Sequence, residues 1–210
     1  MKIIEASHSI ETPIDGAEIL KRIEKAGRTC YKSEDRITEE SAKVFVRKLI
    51  ERGHESVLEH GSITVRFVCD RGISQEIVRH RLASYSQEST RYCNYSNDRF
   101  RNNITFIKPC FLDEGTGGYK LWKQAMFIAE KEYFELLKLG CTPQEARSVL
   151  PNSIKTEIVM TANLREWRHF LKLRTAKAAH PQMRELTVPL LKELQERIPV
   201  VFDDIKEDNI

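Results

Sequence analysis

The sequence predicts an α+β fold, with a small, mostly antiparallel sheet surrounded by helices in a single domain over residues 1–210. Amphipathic helical patterns occupy most of the chain, and two segments, 62–69 and 154–162, alternate between apolar and polar residues as strands do. These strands do not alternate with helices as in a regular βαβ chain. Because no linker clearly divides the sequence, we expect one domain.

The first part of the chain predicts two helices and then a strand. Residues 17–26 form a short helical pattern, and Thr38 is expected to cap a second helix. The negative charges of Glu39 and Glu40 would stabilise the positive N-terminal end of that helix. The strand at 62–69 directs Ile63, Val65, Phe67 and Cys69 to one face, which predicts that it is half-buried. A turn over Asp70, Arg71 and Gly72 then leads into a helical stretch.

The second part of the chain predicts loops, helices and a further long strand. We expect irregular chain over 92–118 with a short strand at 104–107, and then an amphipathic helix over 119–139 that Gly140 ends. A helix from Thr142 that Pro151 stops and a strand over 154–162 follow. The last two predicted helices run from Asn163 to about Arg174 and from His180 and Pro181 onward. The strongest signal for the start of a helix is at Thr142, a capping residue followed by Pro143 and Glu145. Asn163 and Glu166 predict a second cap.

Composition narrows the class of protein. Of the 210 residues, 40% are hydrophobic and 31% are charged, as in ordinary globular proteins. The net charge of only +3 does not indicate a nucleic-acid-binding protein. The five cysteines are odd in number and widely spaced, which favours reduced thiols over a disulfide framework or a zinc site. With no signal-peptide pattern and no long apolar run, we expect a cytoplasmic protein that does not enter a membrane.

Residues 79–91 hold far more anion-binding capacity than a surface helix needs. They contain the sequence Arg-His-Arg, then seven residues, then Ser-x-Arg. Arginine forks bind phosphate oxygens two at a time, and hydroxyls add donors. The start of this segment is predicted to be helical, so Arg79, His80 and Arg81 would point in different directions around the helix axis. We therefore expect them to bind one extended ligand, or two ligands, where subunits meet. Ser89 and Arg91 follow, where a turn would wrap a phosphate.

A second polar cluster runs from His54 to His60. Two histidines and two acids suggest a metal site, but a separation of six residues would point the histidines apart on a helix, and the His-Glu-x-x-His form is missing. We therefore predict no metal. A structural cap before the strand and a polar contact with a ligand both remain open.

A third group lies further along the chain, and the chain lacks an obvious nucleophile. Asn163 and Arg165 stand at the start of a predicted helix, where free N–H groups favour anions, and Arg174 closes the same helix. Cys110 follows a proline but is followed by Phe111, so that no adjacent histidine would activate its thiol. If the chain is an enzyme, we expect a cofactor to perform the difficult step.

These blocks together resemble the signature of the flavin-dependent thymidylate synthases. The resemblance runs from near residue 27 to near residue 185 and includes five blocks in order: His54-Glu-Ser56-x-x-Glu59-His60, the Arg-rich segment, Arg147-Ser-x-Leu-Pro, Asn163-x-Arg165, and Leu-Arg174 with His180. It implies an enzyme that converts dUMP to dTMP, with methylenetetrahydrofolate as carbon donor and FAD and NADPH as the hydride source. It also implies a homotetramer with shared active sites.

The resemblance further implies roles for individual residues. FAD would be bound by His54, Ser56, Glu59, Arg79, His80, Arg81, Gln87, Asn163, Leu164, Arg165, His169 and His180. The nucleotide dUMP would be bound by Glu76, Ile77, Val78, Arg79, Gln87, Glu88, Ser89, Thr90, Arg91, Arg147 and Arg174. Arg174 would also be catalytic, because a guanidinium beside the uracil stabilises negative charge on the ring. Glu76, Gln87 and His169 differ from residue types found in other family members.

Two other functions are compatible with parts of the sequence. One is a flavin-binding oxidoreductase with another substrate, since most of the same residues would serve it. The other is a nucleic-acid-binding protein that uses the Arg-rich segment, because Tyr85, Tyr92 and Tyr95 interleave with the arginines as stacking platforms would. The second predicts an affinity that falls steeply with salt.

Overall fold

Helices and strands both contribute to the architecture of this computed structural model, which describes residues 1–97 and 102–207. The strands are β1 (Lys2–Ile4), β2 (Ser7–Ile10), β3 (Ser62–Asp70), β4 (Ala83–Gln87), β5 (Thr105–Ile107) and β6 (Lys155–Asn163). The α-helices are α1 (Gly16–Thr29), α2 (Ser41–Glu51), α3 (Arg71–Ile77), α4 (Gly117–Lys138), α5 (Pro143–Ala146), α6 (Leu164–Arg174) and α7 (Pro181–Arg197). Short 3₁₀ turns cover Glu34–Arg36, Glu55–His60 and Arg147–Val149. The predicted α+β class is confirmed.

The strands form two small sheets. Four strands pair in the order β2-β3-β6-β4, and this small sheet is antiparallel, as predicted. Strands β1 and β5 form a separate parallel pair, with Lys2 opposite Thr105 and Ile4 opposite Ile107. In β3 and β6 alternate side chains are buried, which confirms the period-two pattern of the sequence. Within the described residues, none of the helices is long and apolar enough to cross a membrane.

The helical stretch predicted before the Arg-rich motif is helix α3, but it begins at Arg71, inside the predicted turn. The Asp70 side chain accepts a hydrogen bond from the Ile73 N–H at 2.7 Å and so caps α3. Helix α3 ends at Ile77, and β4 begins at Ala83. The prediction that residues 79–81 lie on a helix is therefore wrong. They form the link between α3 and β4.

Two helix boundaries also differ from the prediction. Helix α2 begins at Ser41, whose hydroxyl accepts a hydrogen bond from the Thr38 N–H at 2.9 Å, so Thr38 is not its cap. Helix α5 ends at Ala146 after one turn, well before Pro151, and continues as a 3₁₀ turn. The capping box at its start is confirmed. Part of the predicted loop at 92–118 falls on residues 98–101, outside the described residues.

The chain divides into two compact units, each assembled from separate stretches. Unit 1 comprises Met1–Ser7, Phe67–Arg79 and Ser86–Val159, and unit 2 comprises His8–Arg66, His80–Tyr85 and Met160–Ile210. The core of unit 1 contains Tyr95, Ile104, Phe106, Met126, Tyr133, Ala146 and Ile154. The single domain over residues 1–210 stays a prediction.

Helix α6 is central to unit 2. Its cap is the predicted one, since the Asn163 side chain accepts from the Glu166 N–H at 2.9 Å. Leu164 and Trp167 are fully buried, and the Trp167 indole N–H donates to the Ile63 carbonyl at 3.0 Å. Gly61 allows the close approach of this helix, because a Cβ atom there would lie 2.7 Å from Leu164 Cδ1.

Arg168 fixes α6 from its buried side. Its side chain is 1% exposed, and its guanidinium donates to Glu55 at 3.0 Å, to Asp204 at 2.6 Å and to the Val201 carbonyl. Although burial raises the pKa of Asp204, the hydrogen bond and charge of Arg168 outweigh that effect and hold this pKa below its usual value. The network joins α6 to the Glu55–His60 turn and to the segment after α7.

Replacing Arg168 with alanine should lower the free energy of unfolding by about 3 kcal/mol, because Glu55 and Asp204 would lose their buried partner. Urea unfolding followed by circular dichroism measures this change. Arg197→Ala is the matched control, since Arg197 forms an exposed pair with Glu193 and should change the free energy by less than about 1 kcal/mol. Equal small effects of the two substitutions would contradict the structural role of Arg168.

Candidate functional site

Polar side chains gather around one cavity in each unit. The arginine cleft of unit 1 has a volume of about 510 Å³ and is lined by Arg71, Thr90, Gln144, Arg147, Ser148, Leu150, Pro151 and Asn152. The histidine pocket of unit 2 has a volume of about 740 Å³ and is lined by Glu55, Glu59, Leu82, Asn163, Arg165, Glu166, His169 and Lys172. Both volumes are in the range of small-molecule sites.

The arginine cleft combines two cations with hydroxyl groups. Thr90 is buried in the turn after β4, and its hydroxyl oxygen accepts a hydrogen bond from Arg147 Nη1 at 3.1 Å. Arg71, from the start of α3, and Ser148 line the same cleft. Guanidinium groups beside hydroxyls are donors suited to a phosphate or carboxylate. This cleft is therefore chemically equipped to bind an anion.

Gln87, at the end of β4, is oriented by hydroxyl groups of unit 1. Its amide nitrogen lies 2.8 Å from Ser74 Oγ and 3.3 Å from Thr156 Oγ1. Because Ser74 donates its own hydroxyl proton to the Arg71 carbonyl, Ser74 Oγ must accept from Gln87. Both amide protons of Gln87 are thus directed into the protein, and its carbonyl oxygen is the end that can accept from a ligand.

Glu88 is held by side chains of its own unit. Its carboxylate accepts from Lys155 Nζ at 2.9 Å and from the Tyr95 hydroxyl at 3.3 Å. Burial works to lower the pKa of Lys155, but its hydrogen bonds to Glu157 and Glu88 outweigh burial and raise it. Lys155 therefore stays charged, and it fixes the side chain of Glu88 next to the turn that carries Thr90.

The histidine pocket is formed by α6 and the Glu55–His60 turn. Arg165 Nη1 donates to Glu59 Oε1 at 2.7 Å, which links the two elements at the exposed side of the pocket. His169 and Lys172 are exposed one and two turns further along α6. The pocket thus offers cations, carboxylates and an imidazole to one ligand.

His80 is buried among side chains of the same unit. Its Nε2 accepts from Arg174 Nε at 3.1 Å, and its main-chain carbonyl accepts from the Tyr85 hydroxyl at 2.6 Å. Its ring packs edge-on against Phe170, with 4.8 Å between centroids. Burial lowers the pKa of His80 to about 4, and the charges of Arg174 and His169 add to the effect. His80 is therefore a neutral acceptor at physiological pH.

Glu166 lies on the other side of the His80 ring. Its Oε1 is 3.4 Å from His80 Nδ1, and both side chains are almost fully buried. One donor atom each from His80, Glu166 and His169 lie within 4.8 Å of one another, a spacing that a metal ion would also accept. The Arg174 guanidinium on His80 Nε2 opposes a second cation at this place. We therefore assign no metal here.

The predicted site residues are divided between the two units. Unit 1 contains Glu76, Ile77, Val78, Arg79, Gln87, Glu88, Ser89, Thr90, Arg91 and Arg147. Unit 2 contains His54, Ser56, Glu59, His80, Arg81, Asn163, Leu164, Arg165, His169, Arg174 and His180. The structure brings together Thr90 with Arg147, Glu59 with Arg165, and His80 with His169 and Arg174.

Several predicted residues are not gathered with these groups. The side chains of Ile77 and Leu164 are fully buried in the core, so only their main chains would be able to contact a ligand. Arg79, Arg81 and His54 are exposed, and His180 serves as the cap of α7, with its Nδ1 accepting from the Gln182 N–H.

Sequence patterns assign no ligand-binding role to Arg71, Glu166 and Lys172, which line the cavities, and they assign Tyr85 only a stacking role toward nucleic acid. The spacing of Glu166 from Asn163 predicts a helix cap, and Arg71 falls in a predicted turn. Their proximity to the site depends on tertiary packing, for which a single sequence carries no signal.

An α+β fold with guanidinium groups at two cavities defines a protein equipped to bind anionic small molecules. The family model described as thymidylate synthase complementing protein matches residues 14–200 of this chain. The chain therefore belongs to this family, and curated relatives that it matches are named flavin-dependent thymidylate synthase.

Two of these relatives show the extent of the similarity. The protein from Pyrococcus abyssi is 36% identical over 164 residues, which cover 78% of this chain and 66% of the relative. The protein from Corynebacterium glutamicum is 34% identical, over 95% of this chain and 84% of the relative. Among solved structures, the UMP/dUMP methylase PolB from Streptomyces cacaoi, bound with 5-Br dUMP, has a TM-score of 0.79 at 25% identity, with 97% of this chain and 96% of that chain covered.

The His80 imidazole should remain neutral down to about pH 5, and the free energy of unfolding should therefore depend on pH. Because its folded pKa of about 4 lies below the unfolded value, the unfolded state binds the extra proton first. The stability from neutral His80 is present above pH 6.5 and is lost as the pH falls toward 4, by about 2 kcal/mol between pH 7 and pH 5.

Urea unfolding at pH 7 and pH 5 measures this loss in the wild-type chain and in His80→Gln, which should show about 2 kcal/mol less pH dependence. His60→Gln is the control, since His60 is exposed. An NMR titration in which His80 protonates near pH 6.5 would contradict the assignment.

Proposed function

We propose that this chain is an FAD-dependent thymidylate synthase that methylates dUMP to dTMP, with methylenetetrahydrofolate as the carbon donor and FAD and NADPH as the source of hydride. The observation that carries this proposal is the family match over residues 14–200, which contains all five sequence blocks in order. The activity named for PolB, a UMP/dUMP methylase, is in accord with a pyrimidine nucleotide as substrate.

The arginine cleft supports the proposed binding of the nucleotide phosphate. We assign dUMP to Glu76, Ile77, Val78, Arg79, Gln87, Glu88, Ser89, Thr90, Arg91, Arg147 and Arg174. Arg147 and Thr90 are already hydrogen-bonded to each other, so a phosphate would meet preoriented donors. The outward carbonyl of Gln87 suits a donor such as a sugar hydroxyl.

The donor set of the histidine pocket fits FAD. We assign FAD to His54, Ser56, Glu59, Arg79, His80, Arg81, Gln87, Asn163, Leu164, Arg165, His169 and His180. FAD carries both phosphates and hydroxyls. The cations Arg165 and Lys172 suit the former, and the carboxylates Glu55 and Glu59 suit the latter. When bound and reduced, FAD supplies the hydride that completes the methyl group.

Arg174 is the proposed catalytic residue. Its guanidinium would stabilise negative charge as the uracil ring N–H ionises, which makes the ring a better nucleophile toward the transferred carbon. Its hydrogen bond to a neutral His80 fixes one nitrogen of the group without cancelling its charge. A charged carboxylate at that nitrogen would instead have neutralised much of the positive charge that this role requires.

Cys69 is not suited to act as a thiolate nucleophile. Burial in β3 raises the pKa of Cys69 to about 12, so its thiol stays protonated. All five cysteines are free. Free thiols also suit the cytoplasm, which is the location we propose.

We also propose that the chain forms a homotetramer. Helix α4 exposes the large apolar side chains Leu121, Phe127 and Ile128, which is more apolar surface than one helix face of a monomer needs. Covering this surface with other copies of the chain would bury it. Light scattering after size-exclusion chromatography should give the mass of four chains, and a monomer or a dimer at all concentrations would refute the tetramer.

Arg174→Ala should lower kcat at least a hundredfold, because the charge that stabilises the ionised ring is lost. FAD binding and the unfolding free energy should change little. The assay is tritium release from 5-³H-dUMP. Lys192→Ala, which removes an exposed cation paired with Glu207, should keep normal turnover. Turnover near the wild-type rate in Arg174→Ala would refute the catalytic assignment.

The purified protein should show flavin absorbance or take up added FAD, and NADPH oxidation should increase when dUMP and the folate are present. UMP is tested beside dUMP because of the activity named for PolB. NADPH oxidation that ignores the nucleotide would favour an oxidoreductase with another substrate. A colourless protein that takes up no FAD, and whose binding to RNA or DNA weakens with salt, would favour nucleic-acid binding.

A further inference from the structure

Three side chains of unit 2 form a continuous polar chain, in the order Glu166, His80, Arg174. Glu166 Oε1 lies 3.4 Å from His80 Nδ1, and His80 Nε2 lies 3.1 Å from Arg174 Nε. Glu166 and His80 are each 6% exposed. Buried polar groups of this kind are conformationally restricted, so the orientation of one is set by the next.

The chemistry of arginine decides where the His80 proton lies. A guanidinium nitrogen donates hydrogen bonds and does not accept them, so His80 Nε2 must present its lone pair to Arg174. His80 is neutral, since burial and the charge of Arg174 lower its pKa to about 4. Its single ring proton is therefore on Nδ1, the nitrogen that faces the Glu166 carboxylate.

Helix capping alone does not account for the position of the Glu166 carboxylate. The cap of α6 uses the main-chain N–H of Glu166, which donates to the Asn163 side chain at 2.9 Å. The carboxylate itself is turned toward His80. Burial raises the pKa of Tyr85, and the nearby Glu166 charge adds to this effect. A buried acid placed against one nitrogen of an imidazole selects the tautomer of that ring.

We propose that Glu166 is a positioning residue for the methylation of the nucleotide: it keeps the His80 proton on Nδ1, so that Nε2 stays an acceptor and orients the Arg174 guanidinium. This inference rests on the proposed function only for the role of Arg174 in turnover. Without the carboxylate, the proton moves to Nε2 in part of the molecules. The N–H of His80 then opposes the N–H of Arg174, and the guanidinium turns away from its catalytic orientation.

The first test reads the tautomer directly in the ligand-free protein at neutral pH. Protonated and unprotonated imidazole nitrogens have well separated ¹⁵N chemical shifts. The chain has six histidines, and His80 is assigned by the loss of its signals in His80→Gln. The wild-type protein should show a protonated Nδ1. Glu166→Leu should shift His80 toward a protonated Nε2, and Glu166→Gln, which keeps an acceptor oxygen, should shift it less.

The second test measures dUMP turnover in the same variants. Glu166→Leu should lower kcat about 10- to 100-fold, as loss of a partner that orients a functional group commonly does, and should change KM for dUMP less than about threefold. Glu166→Gln should recover most of kcat. Glu193→Gln is the matched control, because it removes the acid from another Glu–His pair, with His8 at 2.9 Å, outside the proposed machinery. It should leave the His80 tautomer and kcat unchanged.

The two tests separate the inference from the proposed function. A protonated Nε2 in the wild-type protein, or an unchanged tautomer in both Glu166 variants, overturns the role of Glu166 whatever the activity. An unchanged kcat in both variants of an active enzyme overturns it as well. If the wild-type protein does not turn over dUMP, the proposed function fails, and the tautomer measurement still decides whether Glu166 orients His80.

Discussion

The buried guanidinium of Arg168 is the constraint on which the histidine pocket depends. It donates hydrogen bonds to Glu55, Asp204 and the Val201 carbonyl, and Glu55 itself lines the pocket. Because this one side chain is hydrogen-bonded to partners on two other segments, α6 has little freedom to rotate, and its other polar side chains keep fixed directions. The cost of burying the charge is offset by these several partners, as buried ions require.

Different side chains of helix α6 pack in the core and line the pocket. Trp167, Phe170 and Leu171 pack in the core, while Arg165 and His169 are exposed at the pocket. His80 comes from a different part of the chain and is enclosed by residues of this helix. Its environment removes its charge and leaves it as a hydrogen-bond acceptor, which is a different role from the anion-binding one that its position between two arginines suggested.

Local signals in the sequence predicted much of this fold. The alternation in β3 and β6 and the caps of α5, α6 and α7 involve residues close in sequence, and each is confirmed. The predictions fail where the local signal is ambiguous. Asp70 is equally suited to a turn and to a helix cap, and the sequence around it does not decide between them. The choice follows from the burial of Ile73 and Ile77, which depends on the rest of the unit.

For the candidate site, the sequence predicted residue types better than it predicted contacts. The hydrogen bonds of Arg147 to Thr90 and of Arg165 to Glu59 each connect two of the five sequence blocks that resemble the family signature. The burial of His80 and the carboxylate beside it could not be predicted, because a link of irregular chain has no periodicity from which burial can be inferred.

One boundary between the two compact units falls between Arg79 and His80, within the Arg-rich segment. Neighbouring residues thus belong to different compact units, and β4 follows only a few residues later. An inserted or deleted residue here would shift the strand by one position and exchange its faces, whereas the exposed arginines on either side of His80 can change without disturbing the packing of either core. The length of this link is therefore constrained by packing, whereas its exposed arginines are constrained by the ligands proposed for them.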